Sequence, residues 1–166
     1  MAFILRPWQM TDIDDLTAAA NNFGIARFMT NQFPHPYTKD HAKAFIEMTM
    51  KSTPPHILAI VVDGVASGGI GIHLQNDIHC KNAEMGYWLA EPCWGKGIVS
   101  AAVRQMLEYA FGNWDIDRVF ARPFGSNIAS QKVLEKAGFV LEARLERTIF
   151  KNDVYEDELI YAVRKN

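Results

Sequence analysis

Two cysteines in 166 residues, Cys80 and Cys93, are too few for a disulfide framework and lack metal-type spacing. The histidines, His35, His41, His56, His73 and His79, fall into no ligand pattern, so no metal is expected. No apolar run approaches the roughly 20 residues of a transmembrane span. Arg6 and Pro7 sit where a secretory signal would need its apolar centre, so a cytoplasmic location is expected. Charge of one sign is also missing. Seventeen basic and 19 acidic side chains leave a formal net charge of -2 and a pI near 6.2. That balance offers neither nucleic acid nor an anionic membrane surface a footprint. Internal repeats, low-complexity tracts and linker-like stretches are absent. A single domain over residues 1–166 is therefore expected, large enough to bury roughly 70% of its unfolded surface.

What is present is an ordinary globular composition, 49% hydrophobic and 22% charged. Phe3 to Arg6 reads as a short strand. Thr11 or Asp12 can cap a helix with Ile13, Leu16, Ala19 and Ala20 on its apolar side. Two prolines make Asn31–Tyr37 a loop, and Thr38 caps a second helix with Ala42, Phe45, Ile46 and Met50 inside. Asp63-Gly64 joins strands His56–Val62 and Val65–His73 as a hairpin, followed by a strand over Asn82–Leu89. A helix over Ile98–Phe111, a strand over Arg118–Arg122 and a helix over Ile128–Ala137 come next. Strands Phe139–Phe150 and Val154–Arg164 close the chain as a hairpin. This order gives a mixed sheet with helices on both faces, in the α+β or α/β range.

Chemistry concentrates at Trp94-Gly95-Lys96-Gly97-Ile98-Val99, between a strand and a helix. A helix N-terminus leaves several N–H groups unpaired and carries a partial positive charge. Glycines at 95 and 97 remove the Cβ atoms that would hold a phosphate away from those donors. Lys96 adds a mobile cation at the rim. The stretch reads as a pyrophosphate seat. A P-loop is excluded, because no Gly-Lys-Ser/Thr closes it and no acidic magnesium partner follows a strand. Further along, Asn127 is placed as a helix N-cap with Ser130 three residues on. Gly138 is placed as a left-handed C-terminal stop, with Leu134 and Phe139 at the positions that touch across it.

Taken together, the motifs resemble those of the GNAT N-acetyltransferases, in the branch of ribosomal-protein N-terminal acetyltransferases. The resemblance runs from Leu5-Arg6-Pro7-Trp8 through Phe33-Pro34-His35-Pro36-Tyr37-Thr38 and Glu84-Met85-Gly86-Tyr87-Trp88-Leu89 to the Gly-Lys-Gly loop. It continues over Asn127–Ser130 and Glu135–Phe139 to Asp157-Glu158-Leu159. It implies a mixed, mostly antiparallel seven-stranded sheet with a splayed central strand pair, and acetyl-CoA as co-substrate.

On that resemblance, backbone groups of Leu89 and Ala90 pair with the pantetheine amides. The N–H groups of Gly95, Lys96, Gly97, Ile98 and Val99 hold the pyrophosphate. Asn127 approaches the pantetheine or the incoming amine, and Ser130 protonates the departing thiolate. The tyrosine that many relatives use for that step falls at Leu134, which gives Ser130 more weight. Other positions also depart from the family: its Gln/Arg lead residue is Trp94 here, its closing Gly/Ala is Val99, and two acids of relatives fall at Ala101 and Ile149. Glu84 is left as the candidate general base, acting through water. Phe33, His35 and Tyr37 are candidates for the acceptor side, against the alternative of a proline-stiffened connector. Asp153, Glu156, Asp157 and Glu158 read as a solvated hairpin rim that could also attract a cationic acceptor.

The expected reaction is direct attack of a primary amine on the thioester in a ternary complex. An α-amine costs about 1 kcal/mol to deprotonate at pH 7 and a lysine about 4.6 kcal/mol. With no strong base evident, a peptide N-terminus is the expected acceptor. A small amine (polyamine, amino acid or aminoglycoside) is the alternative, and a non-catalytic CoA-binding module is the rival of another class. The chain is expected to work as a monomer or homodimer.

Overall fold

The computed structural model describes residues 2–166. The elements are β1 (Phe3–Pro7), α1 (Ile13–Ala20), α2 (Phe23–Ala26), α3 (Lys39–Thr49), β2 (Ile57–Val62), β3 (Val65–Leu74), β4 (Asn82–Leu89), α4 (Ile98–Asn113), β5 (Arg118–Ala121), α5 (Ile128–Lys136), β6 (Val140–Lys151) and β7 (Val154–Arg164). The seven strands follow the order β1-β2-β3-β4-β5-β7-β6. Residues 2–71 and 87–102 form one compact unit; residues 72–86 and 103–166 form a second.

In the first unit, β1 pairs antiparallel with β2 from Phe3↔Val62 to Pro7↔Leu58. The expected hairpin from β2 to β3 is present. Asp63 and Gly64 both take positive φ, 48° and 86°, which a two-residue turn of this hand demands. The core is built from Trp8, Leu16, Ala20, Ile46, Ala59, Val61 and Trp88. Gly68 and Gly69 let β3 lie close under the tip of β4. A Cβ on Gly68 would stand 2.4 Å from the Trp88 carbonyl oxygen, and one on Gly69 would stand 2.9 Å from Trp88 Nε1.

Three local expectations need correction in this unit. Asp12 does not cap α1 with its side chain; its carboxylate takes two hydrogen bonds from Arg6 and one from the Gln9 N–H, and a 3-10 turn over Met10–Asp12 precedes the helix. An ion pair with a neighbouring strand outweighed a helix cap. A further turn of helix, α2, follows α1. Its signal was Asn22, whose Oδ1 accepts from the Gly24 N–H at 2.7 Å. Met50 is exposed, because α3 ends at Thr49 and the helical period that would bury it stops there.

In the second unit β4 pairs parallel with β5 over Asn82↔Arg118, Ala83↔Val119 and Glu84↔Phe120. The ladder stops at Glu84, although β4 itself runs on to Leu89. β5 then pairs antiparallel with β7, and β7 with β6, whose register shifts twice. α5 is the helix the sequence specified. Asn127 Oδ1 accepts from the Ser130 N–H at 3.2 Å, while Gly138, at φ 93°, lets the Phe139 N–H reach the Leu134 carbonyl at 3.0 Å. Phe139 is used in that closure, so β6 begins one residue later than expected.

Candidate active site

The glycine loop lies in the first unit. Gly95 and Gly97 adopt φ of 73° and 75°, the left-handed region in which a side chain is strained. No atom stands within 4 Å of a Cβ built on either residue. Backbone conformation, not packing, therefore demands the glycines, and the space above the loop is open. α4 starts directly after it at Ile98, and the Ala101 N–H closes the first turn onto the Gly97 carbonyl. The N–H groups of Ile98, Val99 and Ser100 have no acceptor within the helix and lie at its positive end. This is a cradle that fits a diphosphate. Lys96 is exposed at its rim, but its Nζ donates to the Pro92 carbonyl at 2.8 Å, so the expected mobile cation is tethered.

The end of β4 is already partly paired. The Ala90 N–H donates to the Ser67 carbonyl at 2.7 Å, so it faces β3 and is not available to an added strand. The Leu89 carbonyl accepts from Trp94 Nε1 at 2.7 Å. The Ala90 carbonyl likewise accepts one bond, from the Cys93 N–H at 2.9 Å. A carbonyl oxygen has two lone pairs, so Leu89 and Ala90 both keep acceptor capacity for the pantetheine, although the Ala90 N–H is spent.

Phe33, His35 and Tyr37 also lie in the first unit, and they divide by burial. The Phe33 ring packs 5.4 Å from Tyr37 and 5.8 Å from Trp88. Tyr37 is 5% exposed, and burial pushes its phenol up to about 12. These two rings anchor the loop to the core. His35 is exposed, with its ring 5.7 Å from Phe23 of α2, and is the member of the trio that reaches solvent.

Glu84, Asn127 and Ser130 lie in the second unit. Glu84 is half-buried on β4 opposite Phe120. Asn127 spends its oxygen on the cap of α5, and its amide nitrogen is not needed for that bond. The loop that carries it is stitched to β7, since the Gly125 N–H donates to the Asp157 carbonyl at 2.8 Å and the Leu159 N–H to the Pro123 carbonyl at 3.0 Å. The start of α5 is thus held in place.

Sequence reading missed several partners. Arg122 donates to Glu158 at 2.9 Å, and the charges of both Glu158 and Glu84 favour its cationic form. Asp157 accepts from the Arg147 N–H at 3.0 Å and, as a smaller effect, from Arg144 at 2.6 Å, which hold its carboxyl below the usual range. Glu156 accepts from Ser126. Of the acids expected as a solvated rim, Glu156, Asp157 and Glu158 each hold a partner in these exposed hydrogen bonds. Their partners lie far off in sequence, and no local pattern could have named them.

Among the described residues, no group of three or more His, Cys, Asp or Glu could hold a metal ion, and no helix is long and apolar enough to cross a membrane. Known proteins give this geometry a lineage. The chain is 33% identical over 106 residues to YdaF of Bacillus subtilis (strain 168), a provisionally assigned ribosomal N-acetyltransferase, covering 64% of this chain and 57% of that protein. It is 35% identical over 82 residues to the ribosomal-protein-serine acetyltransferase of Escherichia coli (strain K12), 49% of this chain and 46% of that protein. The matches thus span about half the length of these curated relatives. The fold superposes on RimL, a ribosomal alpha-N-protein acetyltransferase solved with coenzyme A, at a TM-score of 0.86 and 20% identity, covering 99% of this chain and 94% of that one. RimJ of Mycobacterium smegmatis gives 0.84 and 23%, covering 98% and 81%. Both likenesses show the GNAT fold. Residues 2–140 match the acetyltransferase (GNAT) domain, and the chain belongs to that family.

Proposed function

We propose that this protein moves the acetyl group of acetyl-CoA to a primary amine, and that the preferred acceptor is the α-amine of a protein or peptide. The observation that carries the reading is the open glycine cradle at the start of α4, with Gly95 and Gly97 both left-handed. Amides of residues 95–99 hold the pyrophosphate there. Leu89 supplies a backbone partner for the pantetheine arm. The relatives named above are ribosomal-protein acetyltransferases, which supports the choice of a protein N-terminus.

The reaction needs no protein nucleophile. A neutral amine forms the C–N bond at the thioester carbonyl, the C–S bond breaks, and the thiolate leaves. Glu84 draws the amine proton away through water, and Ser130 returns a proton to the sulfur. Asn127 uses its free amide nitrogen to orient the pantetheine or the amine. His35 stands on the acceptor side, with Phe33 and Tyr37 fixing its loop. Residues 1–166 act as one acetyltransferase domain in this scheme, in the cytoplasm and without a metal.

Release of CoA thiol from acetyl-CoA with a panel of amino-terminal peptides, lysine side-chain peptides and polyamines tests the reading. Turnover is expected with free α-amines and is lost when they are blocked. Ser130→Ala and Glu84→Gln should each lower kcat by roughly 10²-fold or more if they carry proton transfer. Saturable CoA binding with no turnover on any amine would favour a binding module instead.

A further inference from the structure

The tip of β4 is tied to α2 by two separate links. The first is Trp94. Its Nε1 donates to the Leu89 carbonyl at 2.7 Å, and the far edge of its indole lies 3.4 Å from where a Cβ on Gly24 would stand. Despite these contacts it is 46% exposed, which is unusual for a tryptophan with no assigned partner. The second is Glu91, whose Oε2 accepts from Asn22 Nδ2 at 2.7 Å.

Both links converge on a weak element. α2 is four residues long, and a single turn of helix does not stand by its own hydrogen bonds. Asn22 holds it. The Gly24 N–H donates to Asn22 Oδ1 at 2.7 Å, and the Ile25 and Ala26 N–H groups donate to the Asn22 carbonyl at 3.1 and 3.0 Å. All three amides end on one residue, and Glu91 fixes that residue's side chain. Gly24 suits the cap, since a Cβ there would stand 2.9 Å from Asn22 Oδ1, while the indole edge at 3.4 Å would be in ordinary contact with it. α2 in turn presents Phe23 to His35, the exposed member of the acceptor loop.

We propose that Trp94 and Glu91 form a strap by which coenzyme A at β4 orders α2 and, through Phe23, positions His35 for the acceptor. The proposal rests on the cofactor reading above. Pairing of the pantetheine with Leu89 fixes the carbonyl that the indole N–H points at. A fixed indole restricts the Gly24 side of α2, and the ordered turn over Glu91–Cys93 restricts Asn22. Trp94 and Glu91 are positioning residues here and do not touch reacting atoms. Coupling of this kind is reciprocal, so loosening α2 must weaken coenzyme A binding by the same factor.

Hydrogen exchange at the Gly24, Ile25 and Ala26 amides, with and without saturating coenzyme A, tests the strap. In the wild type their exchange should slow by about fivefold or more on binding, the scale of a modest allosteric coupling. Trp94→Phe removes the donor and also the outer indole edge that reaches toward Gly24. It should cut that protection and weaken coenzyme A binding roughly two- to tenfold, the worth of one hydrogen bond. Glu91→Gln, which keeps an acceptor oxygen, should retain the coupling, whereas Glu91→Ala should reduce it. Coenzyme A bound without protection of the three amides overturns the strap and leaves the cofactor reading intact. Protection undiminished in a Trp94→Phe/Glu91→Ala double variant also overturns it. If the wild type does not bind coenzyme A, the cofactor reading and the strap both fail.

Discussion

Gly97 shows how one residue can serve conformation and binding by different physics. A Cβ there meets nothing, so Gly97→Ala suffers from its φ of 75° alone. Left-handed backbone costs an L-residue about 1–2 kcal/mol, and Tm should fall by roughly 2–8 °C for a chain of this size. Gly97→Glu adds a carboxylate in the anion's place, and calorimetry should show acetyl-CoA binding weakened by more than about tenfold beyond the alanine variant. Asp12 offers a test that is free of the ligand. Arg6 grips its carboxylate through two bonds of 2.8 Å and the Gln9 N–H adds a third at 2.9 Å, which together hold its pKa below the ordinary 3.8. A group depressed on folding lends stability above its unfolded value and withdraws it as pH falls through the folded one. Urea melts should therefore show the wild type losing stability faster than Asp12→Asn below about pH 4. At pH 7 the Asn variant should be less stable by about 1–3 kcal/mol, since Arg6 is partly solvated and recovers some loss in water.

At the scale of elements, α5 and its neighbours separate what sequence makes legible from what it hides. Asn127, Gly138 and Phe139 act within a few residues of themselves, and each forms the bond its position implied. The turn at Asp63-Gly64 belongs with them, because both residues must accept positive φ whatever surrounds them. α2 was missed since Asn22 caps a helix too short to show an apolar period. Arg122 meets Glu158 across 36 residues and Asn22 meets Glu91 across 69, and nothing local to either end announces the other. The dual use of Asn127 can be resolved by paired substitutions. Asn127→Ala should destabilise the protein by about 1 kcal/mol, the worth of a cap, whereas Asn127→Ser should restore most of that. The serine variant still lacks the amide nitrogen. If Asn127 touches the pantetheine, Asn127→Ser should keep its Tm and raise the KM for acetyl-CoA; an unchanged KM would leave the residue a cap and nothing more.

For the whole molecule, the cofactor's grip should appear as stability. A ligand that binds the folded chain alone adds RT ln(1 + [L]/Kd), about 2.7 kcal/mol at one hundred times Kd. At this length that corresponds to a rise in Tm of roughly 5–10 °C. Where on the ligand this stabilisation arises discriminates between pictures of the site. A cradle of open glycine amides acts on the diphosphate and is indifferent to the thioester. Coenzyme A, acetyl-CoA and desulfo-CoA should then raise Tm equally within about 1 °C, while pantetheine without its nucleotide should raise it little. Gly97→Glu should lose the response to all three. Ser130→Ala should keep the whole response, because proton delivery to sulfur belongs to turnover and not to the bound ground state. If pantetheine alone stabilises as well as coenzyme A does, the strand edge at Leu89 holds the ligand and the glycine loop is an ordinary turn ahead of a helix.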